Sequence, residues 1–507
     1  MVTPAQARRW GMPLALLALL LLGAGLRFHA LDARSLWLDE AFSVWLARHP
    51  LLAMWGWILR IDQHPPLYYT LLHAWQGLTG EDEVAVRALS ALVSTLTLPL
   101  FYAFSRRVSR DPVTALLATL LLAVSPFHVA VAQEARMYSL LALAVMATLF
   151  FLAPLLDPGA QPPRGWRRLV PWLGLSVSQA GVMLTHHTGA LFFPLALNLP
   201  ILAALASRRG RSQLPPGFAR SWLRSQLLAL LLWSPWAVPA WIQTTGVLRE
   251  FWIPPVTWEG LWRAARTFSF AHLPDSSPWI NPALLIWLLL LGLGVGRLGR
   301  SLWTWLLLSL FLTPVLGEIG VSFLVRSIFH QRSLIGATLP AILLVALGLR
   351  RLRPRPLLLG VLAGILALNG LGLARFYRAP EREAWDDVAA FLAQEAEPGA
   401  LILFNAGWTQ LPFEYYFREM PRAGQVTLHG LPVDPFADGR LEPKMTPGAL
   451  PRLRRLVQGR ERVWLVYSHE WYTDPQELIR QELTRLLGPP QEWRFQGVRV
   501  LIFGSHP

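Results

Sequence analysis

Two adjacent carboxylates, Asp39 and Glu40, stand in the stretch Leu36-Trp37-Leu38-Asp39-Glu40-Ala41-Phe42-Ser43, shortly after a long apolar run. A carboxylate there is suited to deprotonating an acceptor hydroxyl, which is general-base chemistry. The competing role is structural: Asp caps helices, and acidic side chains suit a helix's first turn. Three more polar clusters interrupt apolar sequence: Asp62-Gln63-His64-Pro65-Pro66-Leu67-Tyr68-Tyr69, Gln133-Glu134-Ala135-Arg136-Met137-Tyr138, and Arg326 to Arg332 with His330 and Gln331. Ionisable groups at membrane depth are costly enough to mark function by default. A guanidinium fork matches a phosphate. Arg136, Arg326 and Arg332, with Tyr138, are the candidate phosphate ligands; His64, Glu134, His330 and Gln331 are candidates for holding the rest of a substrate. The structural alternative for the arginines is contact with lipid headgroups.

Imidazole and carboxylate together are also a ligand set for a divalent ion, and His64, His186 and His187 are the candidates. No His-x-x-x-His spacing accompanies them, and adjacent histidines at a helix end point in different directions. A divalent metal is therefore an open cofactor, with none required by the sequence. The chain has no cysteine, which excludes disulfide frameworks and thiolate zinc sites.

The elements that position these groups are membrane helices. Mean hydropathy is +0.38 over 507 residues, more than a soluble core requires. Apolar runs fall near 10–28, 86–105, 112–131, 138–156, 169–186, 189–206, 222–243, 281–296, 302–323, 333–349 and 356–374, which predicts eleven spans. Formal charge is +15, with 31 basic and 14 acidic residues in 1–375 against 15 and 17 in 376–507. The excess lies in short arginine clusters, Arg106–Arg107, Arg164–Arg168, Arg208–Arg211, Arg297–Arg300 and Arg350–Arg355, which alternation puts on one side. That is the positive-inside pattern, not a nucleic-acid groove. It predicts a multi-pass protein of the cytoplasmic (inner) membrane with the N-terminus inside and the polar clusters and C-terminal part outside.

The outer loop 29–85 holds two shorter apolar stretches, Leu51–Leu59 and Pro65–Leu78. These suit helices in the interface, with Trp55, Trp57, Tyr68, Tyr69 and Trp75 as belt aromatics. Residues 244–280 read as a flexible outer loop carrying Trp252, Trp258 and Trp262. The texture changes near Phe376: helix candidates Arg382–Gln394 and Pro475–Leu487 alternate with strand candidates Leu401–Phe404, Val463–Tyr467 and Val498–Phe503. The expected organisation is a membrane domain, 1–375, followed by a small extracytoplasmic α/β domain, 376–507.

The layout as a whole resembles the GT-C superfamily of membrane glycosyltransferases, in the branch of the protein O-mannosyltransferases and the aminoarabinose transferases of lipid A. The matching pieces are the Asp39-Glu40 pair in the first outer loop, the His64-Pro65-Pro66-Leu67 step, the Gln133-to-Tyr138 turn and the outer C-terminal domain. The resemblance implies inverting transfer of a sugar from a polyprenyl-phosphate donor to a glycan, lipid or protein acceptor. Asp39 matches the proposed base, Glu40 orients the acceptor or Arg136, and the arginines face the leaving phosphate. Two rival readings are a transporter of an anionic or lipid-linked substrate and a non-catalytic scaffold of envelope polysaccharide assembly. Transporters usually show internal repeats and polar breaks in mid-span, and the sequence presents neither.

Overall fold

The structure, a computed structural model, describes residues 4–157, 165–249, 253–379, 382–437 and 443–504. Arg164 and Trp252 lie outside the described residues. Along the chain run α1 (Pro4–Phe28), α2 (Leu38–Ala47), α3 (Leu51–Ile61), α4 (Leu67–Thr79), α5 (Glu83–Ser109), α6 (Pro112–Ala123), α7 (Pro126–Ala132), α8 (Tyr138–Leu155), α9 (Val170–Met183) and α10 (His187–Ala206). Then follow α11 (Arg208–Arg211), α12 (Phe218–Trp233), α13 (Ala237–Arg249), α14 (Trp258–Phe270), α15 (Ile280–Leu298), α16 (Leu302–Leu324), α17 (Ile335–Leu349) and α18 (Arg355–Arg378). The remainder alternates: α19 (Trp385–Glu395), β1 (Leu401–Asn405), α20 (Gln410–Phe417), β2 (Thr427–Gly430), α21 (Leu450–Val457), β3 (Arg462–Tyr467), α22 (Glu470–Thr473), α23 (Leu478–Leu487), β4 (Gln491–Phe495) and β5 (Val498–Gly504).

Two compact units emerge. The first comprises 1–30, 63–71 and 87–378; the second comprises 31–62, 72–86 and 379–507.

In the first unit, eight helices among the described residues are long and apolar enough to cross a membrane, or nine if the pair α6 and α7, bent by 57°, is one span. The other two expected spans fold as the shorter α9 and α17. Helix α17 has only 15 residues, all of them buried. A helix sheathed by its neighbours need not match the lipid thickness, so its length is free to fall below the usual ~20 residues. It packs closely on α15, because a Cβ on Gly294 or Gly348 would lie 1.9 Å from the carbonyl oxygens of Leu344 and Leu290 respectively. Elsewhere leucines such as Leu21, Leu285 and Leu316 face outward, as lipid-facing positions do.

The α6–α7 bend occurs at Ser125-Pro126, where proline removes a donor and disfavours helix before it. Arg27 reaches the carbonyls at the end of α6, its Nη1 and Nη2 donating to Ala123 O (3.1 Å) and Leu122 O (3.3 Å). The spans also carry polar residues that the sequence reading passed over. Gln226 Oε1 accepts from Gln179 Nε2 and Asn198 Nδ2, both at 2.9 Å, and Trp222 Nε1 donates to Asn198 Oδ1. This closed network ties α9, α10 and α12 together.

In the second unit a five-stranded sheet has the order β2-β1-β3-β5-β4, with β1 parallel to β2 and β3, and β5 antiparallel to β3 and β4. Alternation along β1 sends Ile402 and Phe404 to a core with Trp385, Leu392, Phe413 and Phe417, and Leu401 and Leu403 to a core with Leu453, Ile479 and Leu483. Helices thus cover both faces, as parallel strands require. The strands expected at 401–404, 463–467 and 498–503 are β1, β3 and β5; β2 and β4 were not anticipated, being short and half-exposed. Residues 258–270 of the expected flexible loop form α14, capped by the Thr257 hydroxyl.

Candidate active site

The turn between α7 and α8 is the centre of the first unit's polar residues. Gln133, Glu134 and Arg136 are all buried there. Gln133 Nε2 donates to His29 O at 2.8 Å and reaches Leu26 O and Arg27 O at 3.3 Å, satisfying carbonyls at the end of α1. Arg136 Nη1 donates to the Tyr69 hydroxyl at 3.3 Å, and the Arg136 carbonyl accepts from Ser90 Oγ, itself 3.3 Å from the Tyr68 hydroxyl. Tyr68 and Tyr69 are therefore not belt aromatics: both are buried. Two phenols opening α4 instead support the Arg136 turn, because helical periodicity cannot say whether an aromatic meets lipid or protein.

A second segment closes on this turn. Arg332 forms an ion pair with Glu134 (3.3 Å), and its guanidinium carbon lies 5.9 Å from the centre of the Tyr138 ring. The Tyr138 ring is 6.3 Å from that of His330 and 5.9 Å from that of His186, and His186 meets His64 edge-on at 5.4 Å. His64, Glu134, Arg136, Tyr138, His186, His330 and Arg332 thus form one group drawn from four distant segments. Burial pushes His186 well below the usual imidazole range, helped by the charges of His64, His187, His330 and Arg136. His330 is pushed down to about 3, first by burial and then by Arg332, with Glu134 opposing. In both rings the neutral form is thereby favoured.

Other expected residues fall elsewhere. His187 turns away to Gln243 Oε1 (2.8 Å), while His186 accepts from Thr188 N. Among the described residues no three His, Asp or Glu side chains gather in a way that would hold a metal ion. Arg326 and Gln331 are half-buried in the same 325–334 loop. Trp258 is exposed, and Trp262 donates to Asn281 Oδ1.

Asp39 and Glu40 belong to the second unit. They occupy the first turn of α2, Glu40 buried and Asp39 half-buried, but the N-cap position is Trp37 and no side chain of its own caps the helix. The cap comes from afar: Leu38 N donates to Glu383 Oε2 at 3.1 Å. The Glu383 carbonyl accepts from Ser35 Oγ, and Leu36 N donates to the Tyr416 hydroxyl at 2.7 Å. Phe42 and Trp45 pack on Phe436 at 5.9 and 5.0 Å. The helix bearing the acidic pair is thus fastened to the sheet-containing part of its own unit by Glu383 and Tyr416, neither of which carries a motif readable in sequence.

With this geometry in place, comparison with known proteins is informative. The pattern of the family described as dolichyl-phosphate-mannose-protein mannosyltransferase matches residues 63–238, about a third of the chain. That stretch contains His64, Glu134, Arg136, Tyr138 and His186. ArnT from Cupriavidus metallidurans in the apo state superposes with a TM-score of 0.66 at 16% identity, covering 98% of each chain. The chain has the GT-C glycosyltransferase fold. The same ArnT bound to undecaprenyl phosphate gives a TM-score of 0.62 at 15% identity over 97% of this chain and 98% of that one. Another GT-C protein, the oligosaccharyltransferase AglB from Archaeoglobus fulgidus in complex with an inhibitory peptide and a dolichol-phosphate, gives 0.54 at 12% identity over 98% and 74%. No curated protein matches in sequence. The GT-C resemblance read from the sequence is thus borne out, together with a helical multi-span architecture that ends in a small sheet domain.

Proposed function

We propose that the chain is an inverting glycosyltransferase that moves a sugar from a polyprenyl-phosphate donor to an acceptor hydroxyl on the outer face of the membrane. The observation that carries this reading is the grouping of Arg136 and Arg332 with Tyr138, His64 and His330 in one polar site of a GT-C fold, Arg136 and Tyr138 buried and the other three half-buried. Two guanidinium groups suit a phosphate whose negative charge grows as it leaves. The solved relatives support the same donor class, since ArnT is seen with undecaprenyl phosphate and AglB with a dolichol-phosphate.

In the proposed reaction Asp39 takes the proton of the acceptor hydroxyl. The oxygen attacks the anomeric carbon, the bond from that carbon to the phosphate oxygen breaks, and the polyprenyl phosphate departs with the electron pair, inverting the centre. Arg136 and Arg332 offset the leaving charge, His64 and His330 hydrogen-bond sugar or phosphate oxygens, and Glu40 orients the acceptor. The membrane domain 1–375 holds the donor, and 376–507 selects the acceptor.

The test is transfer from a radiolabelled polyprenyl-phosphate sugar in reconstituted membranes. Asp39→Asn is expected to reduce turnover by roughly 10²-fold or more while donor binding persists, because an amide cannot accept the proton. The N-cap position of α2 is Trp37, so the change removes no N-cap side chain. Wild-type rates in a folded Asp39→Asn protein would remove Asp39 from the chemistry.

A further inference from the structure

Helix α16 is predominantly apolar, yet it contains Glu318, which is fully buried. A carboxyl at that depth is expensive and persists only where something holds it. Glu318 Oε2 accepts from the His330 backbone N–H at 3.2 Å and from Ser333 Oγ at 3.0 Å. Four residues further along α16, on the same helix face, Ser322 Oγ accepts from the backbone N–H groups of Ile328 and Phe329, both at 3.0 Å. Three consecutive N–H groups, 328 to 330, are therefore received by two side chains one helical turn apart. Ser333 Oγ also reaches the His330 carbonyl, closing the loop on itself.

This cradle fixes the direction in which the 325–334 loop leaves α16. The next residues on the loop are the ones that reach the polar site: His330 beside Tyr138, and Arg332 on Glu134 and Tyr138. Loops are ordinarily the mobile parts of a fold, and a phosphate ligand mounted on one gains from being held in place before the ligand arrives.

We infer that Glu318, with Ser322 as its accessory, is the positioning residue that presents Arg332 and His330 to the lipid phosphate. The inference rests on the reading that this polar site receives the donor's phosphate. Glu318 acts through the His330 backbone and the Ser333 hydroxyl of the loop, and also takes a hydrogen bond from Thr188 on α10. A carboxyl serving only to join α16 to its neighbours would govern stability and leave ligand affinity alone.

The test uses the purified full chain and undecaprenyl phosphate as the probe, with binding and melting temperature measured side by side. Glu318→Ala is expected to weaken binding about tenfold, the scale of one or two lost hydrogen bonds. Glu318→Gln is expected to stay within about threefold, since its amide oxygen can accept both hydrogen bonds. In transfer assays the donor KM should rise in Glu318→Ala more than kcat falls. Should Glu318→Ala not fold, Ser322→Ala decides, with an expected loss of a few-fold in affinity at an unchanged melting temperature. Wild-type affinity in folded Glu318→Ala and in Ser322→Ala would overturn the inference and leave the proposed function standing. Failure of the wild-type chain to bind the lipid phosphate at all would overturn both.

Discussion

The backbone N–H of Leu38, first residue of α2, donates to Oε2 of Glu383, 345 positions later in the chain. The same oxygen accepts from Trp385 Nε1 at 2.6 Å, and Oε1 lies 3.4 Å from His469 Nε2. The helix that carries Asp39 therefore takes its cap from the C-terminal part of its own unit. Replacing Glu383 by Ala removes that cap, a loss of about 1–2 kcal/mol. If Asp39 is the base, Glu383→Ala should lower kcat with donor affinity retained, whereas Glu383→Gln should keep most activity. Steady-state kinetics with a melting curve checks this; normal turnover in Glu383→Ala would show that the anchoring does not matter to catalysis.

Arg136 is buried and anchored through Tyr69, while Arg297 at the end of α15 is exposed. Arg136→Ala is expected to raise the donor KM about 10- to 100-fold, from the ~1.5–3 kcal/mol of a hydrogen bond to a charged group. Arg297→Ala should leave it unchanged. Arg136→Lys should recover only part, because an ammonium keeps the charge and loses the fork. Equal kinetics for Arg136→Ala and wild type would exclude this residue from the site.

The two neutral histidines make a pH prediction whose sign follows from linkage. His186 and His330 are held below the imidazole range in the folded state and titrate near 6.5 when unfolded. Stability is therefore complete above about pH 6.5 and falls as the pH drops below it, by up to about 1.4 kcal/mol per pH unit for each histidine, for His330 down to about pH 3. Melting temperature should be level from pH 8 to 7 and decline from 6.5 to 5. His330→Gln should flatten part of that decline while keeping its backbone bond to Glu318. An unchanged acid slope in this variant would mean that His330 is not held neutral.

Orientation is open to direct labelling, because the chain has no native cysteine. Ser276, Arg494 and Ser207 are all exposed. Cysteine at Ser276 or Arg494 should react with an impermeant thiol reagent from outside, and cysteine at Ser207 should react only after the membrane is opened. The reverse pattern would place the proposed chemistry on the other side.

Much of this protein was legible in one dimension. Each expected span coincides with a helix or a helix pair, because lipid demands long apolar runs whose backbone groups pair internally, and that demand is written locally. Short apolar runs gave β1, β3 and β5 for the same local reason. The clusters around His64, Glu134 and Arg326 to Arg332 stood out as polar residues where apolar ones belong. Sequence could not say that Tyr69 supports Arg136, that Arg332 pairs with Glu134, or that His187 leaves its neighbour for Gln243, since each depends on partners brought close only by helix packing. Glu318 was invisible for a related reason: a single carboxyl in an apolar run gives no sign of which loop it holds. The placing of α2 with residues 379–507 was likewise decided by tertiary structure, through Glu383 and Tyr416, which reach α2 across more than 340 positions of sequence.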